Sequence, residues 1–200
     1  MNNKAFAVLG EFKNSVLAGI SIALGGVVFL QCENRLLGAF LFSIGLYSVL
    51  VFGFDLFTGK VCFTENYKDP AKLAKVWIGN FIGAAFISLI MLSHSQLAAK
   101  AQEIAAAKVS KSLWNVLIDG VICGICIAVA VKGYRRAEGA GRYLAVILGV
   151  MVFILAGSEH VVANMFYLTV AGNVPIGQYL LFLLVNTVGN TLGGLLFSKI

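Results

Sequence analysis

The sequence predicts an all-α integral membrane protein with six transmembrane helices, built as an inverted repeat of three plus three helices in which helices two and five are broken. Three observations lead to this prediction: the composition, six long apolar runs, and two pairs of motifs that recur at a similar offset. Together they predict a single transmembrane domain over residues 1–200, with repeats at about residues 15–93 and 112–198.

The composition excludes an ordinary soluble protein. Of the 200 residues, 60% are hydrophobic and 12% are charged, and the mean hydropathy is +0.91, whereas soluble domains carry about 25% charged residues. A membrane-spanning helix needs about 20 apolar residues, so a chain of this length holds about six spans. The net charge of +6 does not indicate nucleic acid, because the basic residues lie in short links and not in one patch.

Six apolar runs follow one another, separated by links that hold most of the charges. They cover about residues 15–31, 36–63, 73–93, 112–131, 143–169 and 177–198. The first run lacks a small-residue cleavage site and is therefore predicted to remain as the first span.

The distribution of Lys and Arg predicts the orientation of these spans. With the N-terminus inside, eleven of the 15 basic residues fall on the inner side and four on the outer side. The inner residues are Lys4, Lys13, Lys60, Lys68, Lys72, Lys75, Lys132, Arg135, Arg136, Arg142 and Lys199, and the outer ones are Arg35, Lys100, Lys108 and Lys111. Because cytoplasmic loops are enriched in Lys and Arg, we predict a multi-pass protein of the cell membrane with both termini in the cytoplasm.

Runs two and five are longer than one span needs and carry polar residues at their centres. The interruptions read Gly53-Phe-Asp-Leu-Phe-Thr-Gly-Lys60 and Gly157-Ser-Glu-His160. Ionisable side chains and non-helical backbone are costly against lipid and normally face a cavity or the protein interior. Both interruptions are therefore expected to point to one place inside the bundle.

Two pairs of motifs recur along the chain. Gly79-Asn-x-x-Gly83 in run three matches Gly189-Asn-x-x-Gly193, 110 residues later, and Gly53-x-Asp55 matches Gly157-x-Glu159, 104 residues later. Three crossings separate the members of each pair, and an odd number inverts the second copy. Inverted repeats with discontinuous helices are typical of channels and transporters whose site lies near the bilayer midplane.

Four polar residues in the interruptions are the candidates for function. His160 could lend a positive charge or a proton to a passing anion, since histidine titrates near neutral pH, or it could be a neutral imidazole that holds helices together. Thr58 could bond a substrate oxygen or a freed backbone carbonyl. Glu159 is expected to tie down the broken backbone, and Asp55 to accept hydrogen bonds from N–H groups of its loop.

Bulky apolar residues flank both interruptions and could be helix packing or a hydrophobic constriction that impedes hydrated ions. They are Leu46, Leu56, Phe57 and Phe153. Neither a metal nor another cofactor is predicted, because Cys123 and Cys126 lack the further ligands that zinc needs. His160 with Glu159 supplies neither a nucleophile with its base nor a metal set, so an enzyme is not expected.

From about Val16 to Phe197, the sequence resembles the formate/nitrite transporter family. The most specific matches are Gly53-Phe-Asp-Leu-Phe-Thr-Gly59, similar to the family's acidic-Leu-Phe-Thr loop, and Gly157-Ser-Glu-His-Val-Val-Ala-Asn-Met-Phe166, similar to its Glu-His signature. The resemblance implies a lipid-embedded homopentamer in the inner membrane, with an aquaporin-like fold in each protomer. Each protomer would hold its own pore for small monovalent anions: formate, nitrite, hydrosulfide or short carboxylates.

The resemblance also implies roles for single residues. His160 would be the central pore histidine, Thr58 its partner, Lys108 an outer-vestibule lysine that attracts anions, and Asn164 a part of the loop scaffold. Leu46, Leu56, Phe57 and Phe153 would form two constrictions. Gly124 stands where the family has an asparagine, so the pocket beside His160 is expected to be wider and to lack one hydrogen-bond partner.

Two questions stay open at this point. Protonation through His160 would couple anion flux to proton flux, whereas a histidine that only polarises the anion would describe a passive channel. The alternative function is an aquaporin-like channel for water or small neutral solutes. It is disfavoured because that class needs Asn-Pro-Ala in both half-helices, and the prolines here are Pro70 and Pro175.

Overall fold

The computed structural model describes residues 2–198, with side chains from Gly10 onward. Within these residues the chain forms nine α-helices and one short 3₁₀ helix, Thr64–Lys68. The α-helices are α1 (Asn2–Gln31), α2 (Arg35–Phe52), α3 (Phe57–Lys60), α4 (Pro70–Met91), α5 (Ser95–Val109), α6 (Leu113–Arg136), α7 (Gly141–Leu155), α8 (Val161–Ala171) and α9 (Ile176–Leu196). Of the basic residues used to predict orientation, Lys199 and the side chain of Lys4 lie outside this description.

Within the described residues, five helices are long and apolar enough to cross a membrane. They are α1 from Gly10 onward, α2, α4, α6 and α9. Helices α7 and α8 are apolar but shorter, with 15 and 11 residues. The all-helical, apolar architecture agrees with the predicted class of integral membrane protein.

The Gly-Asn-x-x-Gly motifs are the places where two pairs of long helices touch. Helix α4 packs along α1, and α9 packs along α6. A Cβ atom added at Gly83 would lie 2.0 Å from the carbonyl oxygen of Val16, and one at Gly193 would lie 2.1 Å from that of Val121. Small residues let helix backbones approach this closely. Such close packing holds membrane helices together, because lipid supplies no hydrophobic driving force for their association.

Helices α2 and α7 both end on a glycine with left-handed backbone. Gly53 has φ +70° and Gly157 has φ +72°, a conformation that glycine adopts without steric cost. Each turn is closed by the same hydrogen bond: the residue after the glycine donates its N–H to a carbonyl five residues earlier, at 2.9 Å for Val49 and 3.0 Å for Phe153. The chain then runs non-helically to the next short helix, α3 or α8.

One asparagine anchors the chain between α2 and α3. Asn80 Oδ1 accepts a hydrogen bond from the N–H of Phe57 (2.8 Å), and its Nδ2 donates to the carbonyl oxygens of Ser15 (2.7 Å) and Asp55 (2.8 Å). The amide therefore satisfies backbone groups that the missing helix turn leaves free.

A second asparagine repeats this arrangement between α7 and α8. Asn190 Oδ1 accepts from the N–H of Val161 (2.9 Å), and its Nδ2 donates to the carbonyl oxygens of Gly120 (2.9 Å) and Glu159 (2.7 Å). The two asparagines thus bind corresponding backbone groups in the two halves of the chain, which gives the recurring motif a structural meaning.

Two helical regions differ from the predicted runs. Helix α1 begins at Asn2, well before the apolar run at about residue 15. Helix α5 lies in a segment that we predicted only as a polar link; it buries Leu97, Ala101 and Ala105 on one face and packs on α8. Its alanine-rich sequence has high helix propensity, which hydropathy alone does not report.

Candidate functional site

Two cavities lie against opposite ends of α2. The first has a volume of about 400 Å³ and its wall includes Phe42, whereas the second has a volume of about 210 Å³ and its wall includes Leu46. Four residues of helix correspond to about 6 Å along the axis. On α2 the walls of the two cavities are therefore about one helical turn apart, and the side chains between the cavities are called the partition below.

A buried histidine and a buried threonine meet at this partition. His160 immediately precedes α8 and caps it, because its Nδ1 accepts the N–H of Ala163 at 3.1 Å. A ring nitrogen that accepts carries no proton, so the neutral ring holds its proton on Nε2. Nε2 lies 2.9 Å from Thr58 Oγ1, which makes the imidazole the donor and the threonine hydroxyl the acceptor in this neutral form.

Apolar side chains contact His160 or line the second cavity. Phe153 stacks on the imidazole with ring centroids 5.5 Å apart and an interplanar angle of 20°, and it lines the first cavity together with His160. Leu46 and Leu56 line the second cavity. Phe57 is also buried, but within residues 10–198 it is in the wall of neither cavity. The constrictions expected from these four residues stay a prediction.

Lysines hold the carboxylate of Glu159 beside the first cavity. Lys108 Nζ lies 2.5 Å from Glu159 Oε2, and Lys111 Nζ lies 2.7 Å from Oε1. Lys111 also binds Asp119 Oδ2 at 2.7 Å, so two ammonium groups face two carboxylates. A fully buried carboxylate is costly without such partners. Lys108 lines the cavity, and its ammonium group is bound to Glu159; its role in attracting anions stays a prediction.

Lys111 was not among the predicted site residues. Burial lowers its pKa, but the hydrogen bonds to Asp119 and Glu159 raise it by more, so its pKa lies above the ordinary value for lysine. Lys111 therefore stays charged at neutral pH. With Arg35 and Lys108 it is one of three basic residues in the wall of the first cavity, opposite one carboxylate.

Asn164 connects the carboxylate of Glu159 to α9; the scaffold role that the resemblance implied stays a prediction. Its Nδ2 donates to Glu159 Oε2 at 2.9 Å and to Asn186 Oδ1 at 2.8 Å. Asn164 also lines the first cavity. The main-chain carbonyl of Glu159 accepts from Asn186 at 2.6 Å and from Asn190 at 2.7 Å. The main chain of Glu159 thus holds the non-helical segment between α7 and α8, while its side chain binds the lysines.

The structure contradicts the prediction for Gly124. A Cβ atom at this position would lie 2.4 Å from the carbonyl oxygen of Asn190 and 2.9 Å from the Cα of Gly193. Gly124 therefore faces the backbone of α9 and does not widen a pocket beside His160. The physical reason is helix packing: Gly120 and Gly124 are four residues apart on the face where α6 meets α9.

The expected partners of Asp55 were also wrong. Its carboxylate lies 2.5 Å from Lys60 Nζ, so the side chain forms an ion pair. The main-chain carbonyl of Asp55, not its side chain, takes part in the hydrogen bonds of the loop, by accepting from Asn80 Nδ2. The recurring Gly-Asn-x-x-Gly motif was the available signal for the anchoring asparagines, although their hydrogen bonds could not be read from it.

A family model for the formate/nitrite transporters matches residues 3–200. The chain belongs to the formate/nitrite transporter family. It is 30% identical to the nitrite transporter NirC of Escherichia coli (strain K12), over 94% of this chain and 81% of the relative. It is 27% identical to the formate channel FocA of Haemophilus influenzae, over 78% of this chain and 64% of the relative.

Solved structures of this formate/nitrite transporter fold are similar along nearly the whole chain. An FNT family ion channel superposes with a TM-score of 0.88 at 26% identity, covering 97% of this chain and 89% of the other. A pentameric formate channel with formate bound superposes with a TM-score of 0.79 at 24% identity, covering 97% and 94%. The predicted resemblance is confirmed, and these relatives are transporters and channels, not enzymes.

Proposed function

We propose that this protein is a membrane channel for small monovalent anions such as formate or nitrite. The observation that carries the proposal is the contact between Thr58 and His160, 2.9 Å long, inside a thin apolar partition between two cavities. The path would run from the first cavity, past this contact, into the second. The named substrates of the relatives, nitrite and formate, support this choice of anion.

The proposed architecture in the membrane has six crossings, with α2 plus α3 and α7 plus α8 as the two broken ones. The corresponding hydrogen bonds of Asn80 and Asn190 support an inverted repeat of three plus three crossings. Both termini would face the cytoplasm, as the basic links predict. A homopentamer, with one pore in each protomer, is supported by the pentameric formate channel of similar fold.

The proposed transport step begins with the anion entering the first cavity, where Arg35, Lys108 and Lys111 supply positive charge. Moving a bare anion through the apolar partition would be costly. Protonation through His160 would produce a neutral acid, which can pass Phe153, Leu56 and Leu46 at a lower cost. In this scheme anion uptake is coupled to proton uptake.

A stopped-flow assay with reconstituted liposomes tests the proposal. Uptake of formate, nitrite and hydrosulfide is measured at several pH values for the wild type and for His160→Asn. Asparagine is an efficient N-cap, so it can keep the bond to the Ala163 N–H and remove only the titratable ring. We expect His160→Asn to abolish pH-dependent uptake. Uptake that keeps its pH dependence in this variant would remove the histidine from the mechanism.

Water permeability separates the proposal from the aquaporin-like alternative, which the comparisons with nitrite and formate transporters do not favour. Osmotic shrinkage of the same liposomes should match that of protein-free liposomes. Rapid shrinkage without anion uptake would point to the water channel instead.

A further inference from the structure

Two buried polar atoms in the wall of the first cavity are left without a hydrogen bond. Within the described part of the chain, Ser158 Oγ and Asn164 Oδ1 are the buried side-chain oxygen or nitrogen atoms that lack a partner. Ser158 is 7% exposed and Asn164 is 0% exposed, and both line the first cavity. Buried polar groups are nearly always hydrogen-bonded, so this pair requires an explanation.

The orientation of the Asn164 amide is determined by its neighbours. Its Nδ2 donates to the carboxylate of Glu159 and to Asn186 Oδ1. Rotating the amide by 180° would place its oxygen against that carboxylate, which can only accept hydrogen bonds when ionised. The free atom of Asn164 is therefore an acceptor, whereas the hydroxyl of Ser158 can donate.

The hydroxyl of Ser158 has no structural task in its own loop. The N–H of Ser158 donates to the carbonyl oxygen of Phe153 at 3.0 Å, and this contact would persist with any side chain. Other buried serines differ: Ser88 Oγ donates to the carbonyl oxygens of Ala84 and Phe166. The side chain of Ser158 is thus available to a molecule in the cavity.

We propose that Ser158 and Asn164 form a binding subsite for the protonated form of a small oxyacid, and that this subsite favours oxyacids over hydrosulfide. One oxygen of the acid accepts from the Ser158 hydroxyl, and its O–H group donates to Asn164 Oδ1. This inference rests on the proposed anion channel and names the chemical class that its first cavity selects.

The discrimination follows from the chemistry of sulfur. An S–H group is a weak donor and sulfur is a weak acceptor, so hydrogen sulfide would leave both protein atoms poorly satisfied. Sites built to hydrogen-bond a ligand reject analogues that lack the matching group. Formic and nitrous acids each carry one oxygen acceptor and one O–H donor, which complement the pair.

The variant Ser158→Ala tests the subsite, because alanine removes only the hydroxyl. We expect formate and nitrite uptake to fall about 5- to 10-fold, the loss expected for one net hydrogen bond, while hydrosulfide uptake changes by less than about twofold on the same reasoning. The matched control is Ser43→Ala. Ser43 is buried in α2, bonds to the Ala39 carbonyl and lies outside the wall of the first cavity, so uptake of all three anions should be unchanged.

Equal loss for all three anions in Ser158→Ala, or no loss at all, would overturn the subsite; the latter is expected if water alone satisfies the two atoms. Binding of ¹³C-formate to the purified protein, measured by NMR line broadening, separates this result from failure of the channel proposal. Ser158-dependent broadening without anion flux would support the subsite and reject the channel. Broadening that is absent, or unaffected by Ser158→Ala, would reject the subsite.

Discussion

His160 is held by hydrogen bonds that suit its neutral form. The N–H of Ala163 donates to Nδ1, and Nε2 faces Thr58. Adding a proton to Nδ1 would set two N–H donors against each other, so the charged ring must release the first turn of α8. A proton carried by this histidine is therefore linked to movement of its own helix N-terminus.

The variant Thr58→Val tests the other side of this contact. Valine has a similar shape but leaves the buried Nε2–H without its acceptor, which costs about 1–3 kcal/mol. We expect a lower thermal unfolding temperature in detergent and slower formate uptake. The control Thr191→Val removes a half-buried hydroxyl that bonds only to the carbonyl of Thr187, one helical turn earlier, and should have little effect. Equal losses of unfolding temperature and formate uptake in both variants would show that the Thr58–His160 bond contributes no more than an ordinary buried hydroxyl.

At the scale of the elements, two asparagines take over the hydrogen bonds that a continuous helix would have made for itself. Asn80 serves the α2–α3 segment and Asn190 serves the α7–α8 segment, each through three bonds to the main chain. Each side chain also joins a long helix to the interrupted segment and to a second long helix, α1 or α6. Loss of either amide should therefore loosen three elements together.

We predict that Asn190→Ala destabilises the protein by about 3 kcal/mol or more, since three buried backbone groups lose their partner. Hydrogen–deuterium exchange should rise at Val161 and along the first turn of α8, and the unfolding temperature should fall. The control is Asn173→Ala, which replaces an exposed asparagine in the turn before α9. Unchanged exchange at Val161 would mean that the anchor contributes little.

The sequence could predict the elements that hydropathy and motif spacing report. The apolar runs correspond to the long helices, and the polar interruptions at Gly53 and Gly157 fall where α2 and α7 end. Helix α5 was not predicted because its charged residues lower the mean hydropathy of a segment whose apolar face is made mostly of alanines. The direction of Gly124 also escaped prediction, since one position in a helix can face a cavity or a neighbouring backbone, and only the packing of α6 on α9 decides between them.

The whole molecule depends on two helix pairs that meet backbone to backbone. Gly124 lies within one of these contacts, so Gly124→Asn should force α6 and α9 apart and not supply a partner to His160. We expect little monodisperse protein on size-exclusion chromatography, with an unfolded or aggregated remainder. The control is Gly177→Asn, because a Cβ at Gly177 meets nothing within 4 Å. A well-folded Gly124→Asn variant with altered anion selectivity would show that position 124 does line the pore.

The candidate site could be predicted only in part, because the role of some of its residues depends on the packing of the whole bundle. His160 and Thr58 lie in motifs that sequence comparison can find, and they lie far apart in the chain yet touch. Lys111 belongs to no such motif, and Ser158 lies inside one that does not single it out. The importance of both residues depends on what the folded chain places around them. Burial of Glu159 is what makes a second lysine necessary, and burial is a property of the assembled bundle.

We expect the rotation of a few side chains to be enough to connect two cavities whose walls on α2 are about one helical turn apart. Phe42 and Leu46 are buried, so their rotamer changes are slower than the picoseconds to nanoseconds of exposed side chains, yet they move far fewer atoms than the collective domain motions that take microseconds to milliseconds. With Phe42 and Leu46 on its two faces, the barrier needs no displacement of α2 itself. The pace of passage would then be governed by dehydration and proton supply, and each protomer could conduct without waiting for its neighbours to rearrange.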